Sequence, residues 1–197
     1  MAGWYQHKEV YVISSNDSFH RYVRDNLPDG DYAVAGCANT GTEARQQLIG
    51  RSFPVVLVNI PLSDENGAEL AADLAERTPG GVIAVVRAEQ EQEVRQYLEP
   101  QGVCVLGKPF PHAAFHQALY DAAAVFARMQ AVTAENARLQ MRLADLRIIN
   151  RAKAALIRYL GMTEEQAHKY IEQQAMDQRI TKRKAAENIL KTYEDQG

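Results

Sequence analysis

The chain has 197 residues, is 46% hydrophobic and 24% charged, and carries a formal net charge of −3. This is the composition of a soluble globular protein, and it excludes an intrinsically disordered chain. It carries no global cationic footprint, so any nucleic-acid binding must come from a local basic face. No apolar run approaches the roughly 20 residues of a membrane span. The opening "MAGWYQHKEV" lacks a basic segment followed by an apolar one, so no secretory signal and a cytoplasmic location are expected.

In chain order the first half alternates two periods. "EVYVIS" (9–14), "YAVAGCA" (32–38), "VVLVNI" (55–60), "VIAVV" (82–86) and "VCVL" (103–106) are short β-rich runs. Between them, "DSFHRYVRDNL" (17–27), "TGTEARQQLIG" (40–50), "GAELAADLAER" (67–77) and "EQEQEVRQYLE" (89–99) have helical spacing, with Asp17 and Thr40 as expected N-caps. This alternation predicts a five-stranded, doubly wound parallel sheet with helices on both faces. Cys37 and Cys104 fall in separate strands without metal-ligand spacing and are expected as buried thiols in a reducing compartment. The third strand ends in Asn59, followed by turn residues Pro61, Asp64, Asn66 and Gly67. Functional groups of open α/β sheets sit just beyond the carboxyl ends of the strands. Asn59 therefore stands where chemistry is expected, with an amide in place of a carboxylate.

From about residue 112 the strands stop. Phe115, Ala118, Ala122, Val125, Met129, Val132, Asn136, Leu139, Leu143, Leu146 and Asn150 follow at alternating steps of three and four, a heptad seam without proline or glycine. With Phe115 at position a, Asn136 and Asn150 fall at a, where a buried Asn fixes register and favours two parallel strands. The first turns are expected to cover the sheet. Beyond about residue 125 the seam Val125, Met129, Val132, Asn136, Leu139, Leu143 and Leu146 is expected to pair with a second copy. Gly161 should end this helix, "TEEQ" (163–166) reads as a capping box, and a helix follows over 164–177. Thr181 should cap a last helix with Ala185, Ala186, Ile189 and Leu190 as its apolar stripe, completing a three-helix bundle.

Residues 8–125 resemble the receiver domain of bacterial response regulators, a flavodoxin-like fold. The strand spacing carries the resemblance, with "GKPF" (107–110) as the lysine–proline pair after the last strand. The resemblance implies a phosphoryl-accepting aspartate after the third strand, an acid pair binding Mg²⁺ after the first, a hydroxyl switch after the fourth and the lysine. Mapped here, the acids become Ser14 and Ser15, the acceptor Asn59 and the switch Arg87; only Lys108 remains. Arg87 is expected to place its guanidinium near Asn59 and fill the phosphate pocket. The reading is a pseudo-receiver with no cofactor or metal.

Residues 150–190 resemble the ANTAR domain, through "RAKAALI", "GMTEEQAHKYI", "AMDQR" and "KAAENIL". The whole chain then resembles AmiR-like transcription antitermination regulators. That resemblance implies RNA binding. Residues 145–197 hold ten Lys or Arg against eight Asp or Glu, whereas the rest of the chain is net acidic. The expected contacts with leader mRNA hairpins are Arg151, Lys153, Arg179, Lys182, Arg183 and Lys184, all taken as exposed. Ala152, Ala155, Ala175 and Met176 are expected between helices, and Tyr159 and Tyr170 either stack on bases or pack. The expected domains are a pseudo-receiver (1–122), a coiled-coil dimerisation helix (123–147) and an ANTAR domain (148–197). The expected protein is a homodimer that is not an enzyme, contacts RNA polymerase only indirectly, avoids membranes and is controlled by a sensor protein on the pseudo-receiver. Two alternatives stay open: a switch phosphorylated at an unconventional acceptor, and an interaction scaffold without RNA affinity.

Overall fold

The computed structural model describes residues 7–194. The chain folds as two compact units divided between Val132 and Thr133. The first alternates β1 (Lys8–Ile13), α1 (Asp17–Asn26), β2 (Tyr32–Ala38), α2 (Gly41–Gln47), β3 (Val55–Asn59), α3 (Ala68–Arg77), β4 (Gly81–Arg87), α4 (Ala88–Leu98) and β5 (Cys104–Lys108). All strand pairs are parallel, in the order β2-β1-β3-β4-β5. The five expected strands and four expected helices are all present, with most ends moved by one or two residues.

Strand alternation sorts the core into two layers. Tyr11, Ile13, Val56 and Val58 face Ala44, Leu70, Ala71, Leu74 and Leu98 of α2, α3 and α4. Val10, Val12, Val55, Leu57, Ile83 and Val85 face Phe19 and Val23 of α1 and the start of the long helix α5 (His112–Leu160). β3 is buried throughout because both its faces are covered, which is why it reads as an uninterrupted apolar run. Gly81 lets α5 lie close to β4, since a Cβ there would come within 2.6 Å of the Ala122 carbonyl oxygen. Phe115, Ala118, Leu119, Ala122 and Ala123 are buried on the sheet, whereas Val125 is 52% exposed.

The second unit closes on itself. Ala152, Ala155 and Leu156 of α5 pack with Ala167, Ile171 and Ala175 of α6 (Glu164–Asp177) and Ala185, Ala186, Ile189 and Leu190 of α7 (Lys182–Glu194). Gly161 follows α5 with φ +63°, the left-handed conformation that glycine adopts without steric cost. Thr163 and Gln166 form the expected capping box, and the Lys184 N–H donates to Thr181 Oγ1 at 3.2 Å.

Three expectations change. The cap of α1 is Asn16, whose Oδ1 accepts from the Ser18 N–H at 2.9 Å; Asp17 is the first helical residue. Both residue types cap well, and the one whose backbone is still extended takes the role. Cys37 is half-buried and Cys104 exposed, because both lie on the outer strands of the sheet. Met176 is 73% exposed and separates no helices, although Ala152, Ala155 and Ala175 do lie in the bundle core.

Candidate functional site

Parallel strands deliver Ser14, Asn59, Arg87 and Lys108 to one edge of the sheet, at the carboxyl ends of β1, β3, β4 and β5. Asn59 and Ser14 are buried. The Asn59 amide bridges two partners: Nδ2 donates to Ser14 Oγ at 2.8 Å, and Oδ1 accepts from Lys108 Nζ at 2.5 Å. Ser14 Oγ also accepts the Asn16 N–H at 3.1 Å and donates to the Asn16 carbonyl at 3.3 Å, which uses its whole hydrogen-bonding capacity. His20 Nε2 donates to the Ser14 carbonyl at 2.7 Å, leaving the buried Nδ1 without a partner. Burial, and then the nearby Arg87 charge, hold Lys108 below the usual lysine pKa.

None of these four strand-end residues carries a carboxylate. An amide offers no carboxylate oxygen as nucleophile. Magnesium favours carboxylate oxygens in octahedral geometry, yet Ser14 Oγ is saturated. Ser15 Oγ donates to the Asn39 carbonyl at 2.6 Å and accepts the Ser63 N–H at 2.8 Å, tying down the loop after β3. The nearest acids in that loop are held elsewhere. Asp64 accepts from the N–H groups of Gly41 and Thr42, at 2.9 and 3.0 Å, at the start of α2. The bonds from Thr42 and then Gly41 pull its pKa down to about 2. Glu65 pairs with Arg45 of α2.

Arg87 makes no hydrogen bond to Asn59. It is exposed at the N-cap of α4, and the position beside the Asn59 oxygen belongs to Lys108, which approaches from β5. The sequence reading also missed His20, Ser63 and the link from Asp64 to α2. Each joins elements that only the fold brings together, and nothing in their local spacing signals it.

Along α5, Val125, Met129, Val132, Leu139, Leu143 and Leu146 are between 45% and 57% exposed, and Asn136 is exposed with them.

In the second unit the candidate cations differ in setting. Arg151 and Arg179 are exposed, the latter at φ +52° as the chain leaves α6. Lys182, Arg183 and Lys184 are exposed but paired. Lys182 binds Glu172 at 2.5 Å; Arg183 binds Glu187 at 2.9 Å and Asp145 at 3.0 Å; Lys184 lies 3.6 Å from Glu187. The reason is electrostatic: these three cations occupy the first turn of α7, where the helix dipole disfavours positive charge and nearby acids offset it. Lys153 departs from expectation, with a side chain only 16% exposed and paired with Glu164 at 3.1 Å. Its aliphatic stem covers the bundle while its ammonium reaches the start of α6. Tyr170 packs against the bundle core, whereas Tyr159 is 48% exposed and stacks on Tyr193, with ring centroids 5.9 Å apart.

Comparison with known proteins agrees with this division. The response regulator receiver domain family matches residues 10–120, and the ANTAR domain family matches residues 137–190. The transcriptional regulatory protein PdtaR of Mycobacterium tuberculosis is 28% identical over 185 residues, covering 94% of this chain and 90% of that one. The aliphatic amidase regulator of Pseudomonas aeruginosa is 31% identical over 123 residues, 62% of this chain and 63% of that one. Among solved structures, the signal receiver domain of an HD domain-containing protein from Pseudomonas fluorescens Pf-5 aligns with a TM-score of 0.57 at 18% identity, covering 66% of this chain and 97% of that one. A crystal structure of an adenylate cyclase from Rhodopirellula baltica aligns equally well, with a TM-score of 0.57 at 16% identity over 68% of this chain and 98% of that one. At such identities these two speak for the fold alone. With residues 10–120 built on the receiver fold and its last helices on the ANTAR pattern, the chain belongs to the response regulator receiver family and is an ANTAR-containing response regulator.

Proposed function

We propose that this response regulator acts as a homodimeric RNA-binding antiterminator in the cytoplasm. It holds hairpins of nascent leader mRNA, disfavours an overlapping terminator stem and lets polymerase read on, touching RNA polymerase only through the transcript. It catalyses no reaction. Residues 1–122 serve as a pseudo-receiver, 123–147 as a coiled-coil dimerisation helix and 148–197 as the ANTAR domain. Control comes from a sensor protein docking on the pseudo-receiver rather than from phosphorylation.

The strongest support for RNA binding is the ANTAR match over residues 137–190, which contains all six candidate cations. Lys182, Arg183 and Lys184 occupy the first turn of α7, at the positive end of the helix dipole, a combination that suits phosphate. Their acid partners are exposed enough to be exchanged for RNA phosphates. The exposed seam on α5 supports the dimer, because a second copy would bury those side chains against Asn136 of its own. The Ser14–Asn59–Lys108 relay, with an amide and a saturated hydroxyl in place of carboxylates, supports loss of phosphoryl transfer.

The test is titration of the full chain with matched and loop-mutated leader hairpins at two salt concentrations. Replacing Arg179, Lys182 or Arg183 by Ala is expected to weaken hairpin binding. Each lost phosphate contact should flatten the salt dependence, by roughly one unit of slope on duplex and less on single strands. Arg151 or Arg179, with planar guanidinium forks, is the better candidate for reading a loop base. Unchanged binding in all variants would remove this working face and leave ANTAR as a fold only.

A further inference from the structure

Beside the polar relay, the first half of α1, the junction of β4 with α4 and the segment following β5 line an open cleft of about 720 Å³. Its walls combine two chemistries. Phe19, Tyr22 and Phe110 supply aromatic surface, with Tyr22 and Phe110 meeting edge to face at 5.9 Å. Arg87 and Lys108 supply the cations, and Glu89 of α4 adds one carboxylate. Lys108 Nζ lies 4.7 Å from the centre of the Phe19 ring, so its charge sits directly on the apolar wall. One ammonium N–H is committed to Asn59, and an ammonium has three. Arg87 makes no side-chain hydrogen bond or ion pair to another described residue. A cleft of this size with apolar walls and a few convergent polar groups is the usual form of a small-molecule site.

We propose that this cleft binds a small aromatic carboxylate, its ring against Phe19, Tyr22 and Phe110 and its carboxylate held by Arg87 and Lys108. The charges select the class. Two cations against one carboxylate leave a net single positive charge, which one carboxylate neutralises. A planar ring fits walls set edge to face, and a guanidinium receives a carboxylate through paired hydrogen bonds. Such a ligand would couple the α1 and α4 ends of the receiver through the strand-end residues that a phosphoryl group no longer uses. The inference does not depend on RNA binding, and its test reads the cleft alone.

The test is calorimetric titration of the full chain with 2-naphthoate, its neutral analogue 2-naphthamide, cyclohexanecarboxylate and adenosine monophosphate. Naphthoate is expected to bind, and the amide and the non-aromatic acid at least about tenfold more weakly, the loss expected when a charged hydrogen bond or the aromatic stacking is removed. Arg87→Gln, an exposed position that leaves the core untouched, should weaken naphthoate by a similar factor. Leu139→Asn, on the exposed seam of α5, should leave it unchanged. No binding of naphthoate, equal binding of the amide, or an unaltered Arg87→Gln variant would overturn the proposal. Tighter binding of the nucleotide than of naphthoate would overturn the carboxylate class, and loss in Leu139→Asn would assign the binding to the seam.

Discussion

Polar groups are handled in opposite ways in the two units. At the strand ends of the first, the buried Asn59 amide links buried Ser14 to half-buried Lys108, so that each bond depends on the residue in the middle. On the second, Lys182, Arg183 and Lys184 pair with Glu172, Asp145 and Glu187 at the surface, where water and salt can replace either partner. A buried network fixes one geometry and costs free energy whenever a member is lost. A surface ion-pair cluster contributes little to stability, and its charges remain exchangeable for an anionic partner. The strand ends of the first unit thus commit their polar groups to one another, while the second unit keeps its charges at the surface.

The largest test of this contrast concerns the cores beneath the charges. The bundle core among the described residues has ten buried side chains, of which Leu156, Ile171, Ile189 and Leu190 are large and the rest alanine. Leu156→Ala should cost about 2–5 kcal/mol, enough to melt the second unit and abolish hairpin binding while the first unit keeps its own unfolding transition. Leu57→Ala should cost a similar amount in the first unit and leave hairpin affinity intact. Separate transitions for the two variants in urea, followed by circular dichroism, would support independent units; a single shared transition would break the comparison.

Next in size is the relay. Asn59→Ala removes the acceptor of Lys108 and the donor to Ser14, both partly or fully buried, and should destabilise the first unit by about 1–3 kcal/mol. Asn59→Asp should be milder, because a carboxylate can pair with Lys108. It should still take no phosphoryl group from acetyl phosphate by mass spectrometry, since neither serine supplies a magnesium ligand. A phosphoryl adduct on the carboxylate introduced in that variant would show that one residue separates this pocket from an active one.

How much of this was legible in the sequence follows the range of the interactions. The strands, the βα alternation, the Thr163–Gln166 box and the Gly161 stop rest on neighbours within a few residues, and all appear where expected. The amide at the end of β3 was legible too, because it is a matter of residue type at Asn59. What took its place in the pocket was not. Arg87 and Lys108 are both cations at strand ends, and only the approach from β5 decides that Lys108 reaches the amide. Similarly, the basic run at 182–184 and its place just after the Thr181 cap were visible, but its acid partners from α5 and α6 needed three helices in place. Lys153 looked like its neighbours in sequence and is largely covered in the fold.

The seam offers a smaller effect. If Asn136 pairs with its counterpart in a dimer, Asn136→Leu exchanges a buried polar pair for apolar packing. The expected result is a rise in Tm of about 2–4 °C with a less uniform oligomeric state by sedimentation. A parent chain that stays monomeric at micromolar concentration would end the dimer reading and leave the exposed leucines without a role.

The smallest effect is expected at Asp64, an acid of the first unit that behaves like those of the second. It is fully exposed, yet the N–H groups of Thr42 and Gly41 pull its pKa from 3.8 down to about 2. Those donors favour the ionised form, so the stability they contribute is fully present above the unfolded value. It is lost as pH falls through about 2, when the folded carboxylate takes its proton. Asp64→Asn keeps an oxygen acceptor but no charge at the start of α2. The variant should be slightly less stable than the parent at pH 7 and should lose the part of the acid-induced decline that lies between the two pKa values. Urea midpoints measured from neutral pH down through that window would show the two curves converging; curves that stay parallel would mean that the Asp64 charge does not support the start of α2. The same contacts bear on phosphorylation. A carboxylate whose oxygens are engaged by two backbone N–H groups is a weak nucleophile, so Asp64 is expected to take no phosphoryl group from acetyl phosphate by mass spectrometry.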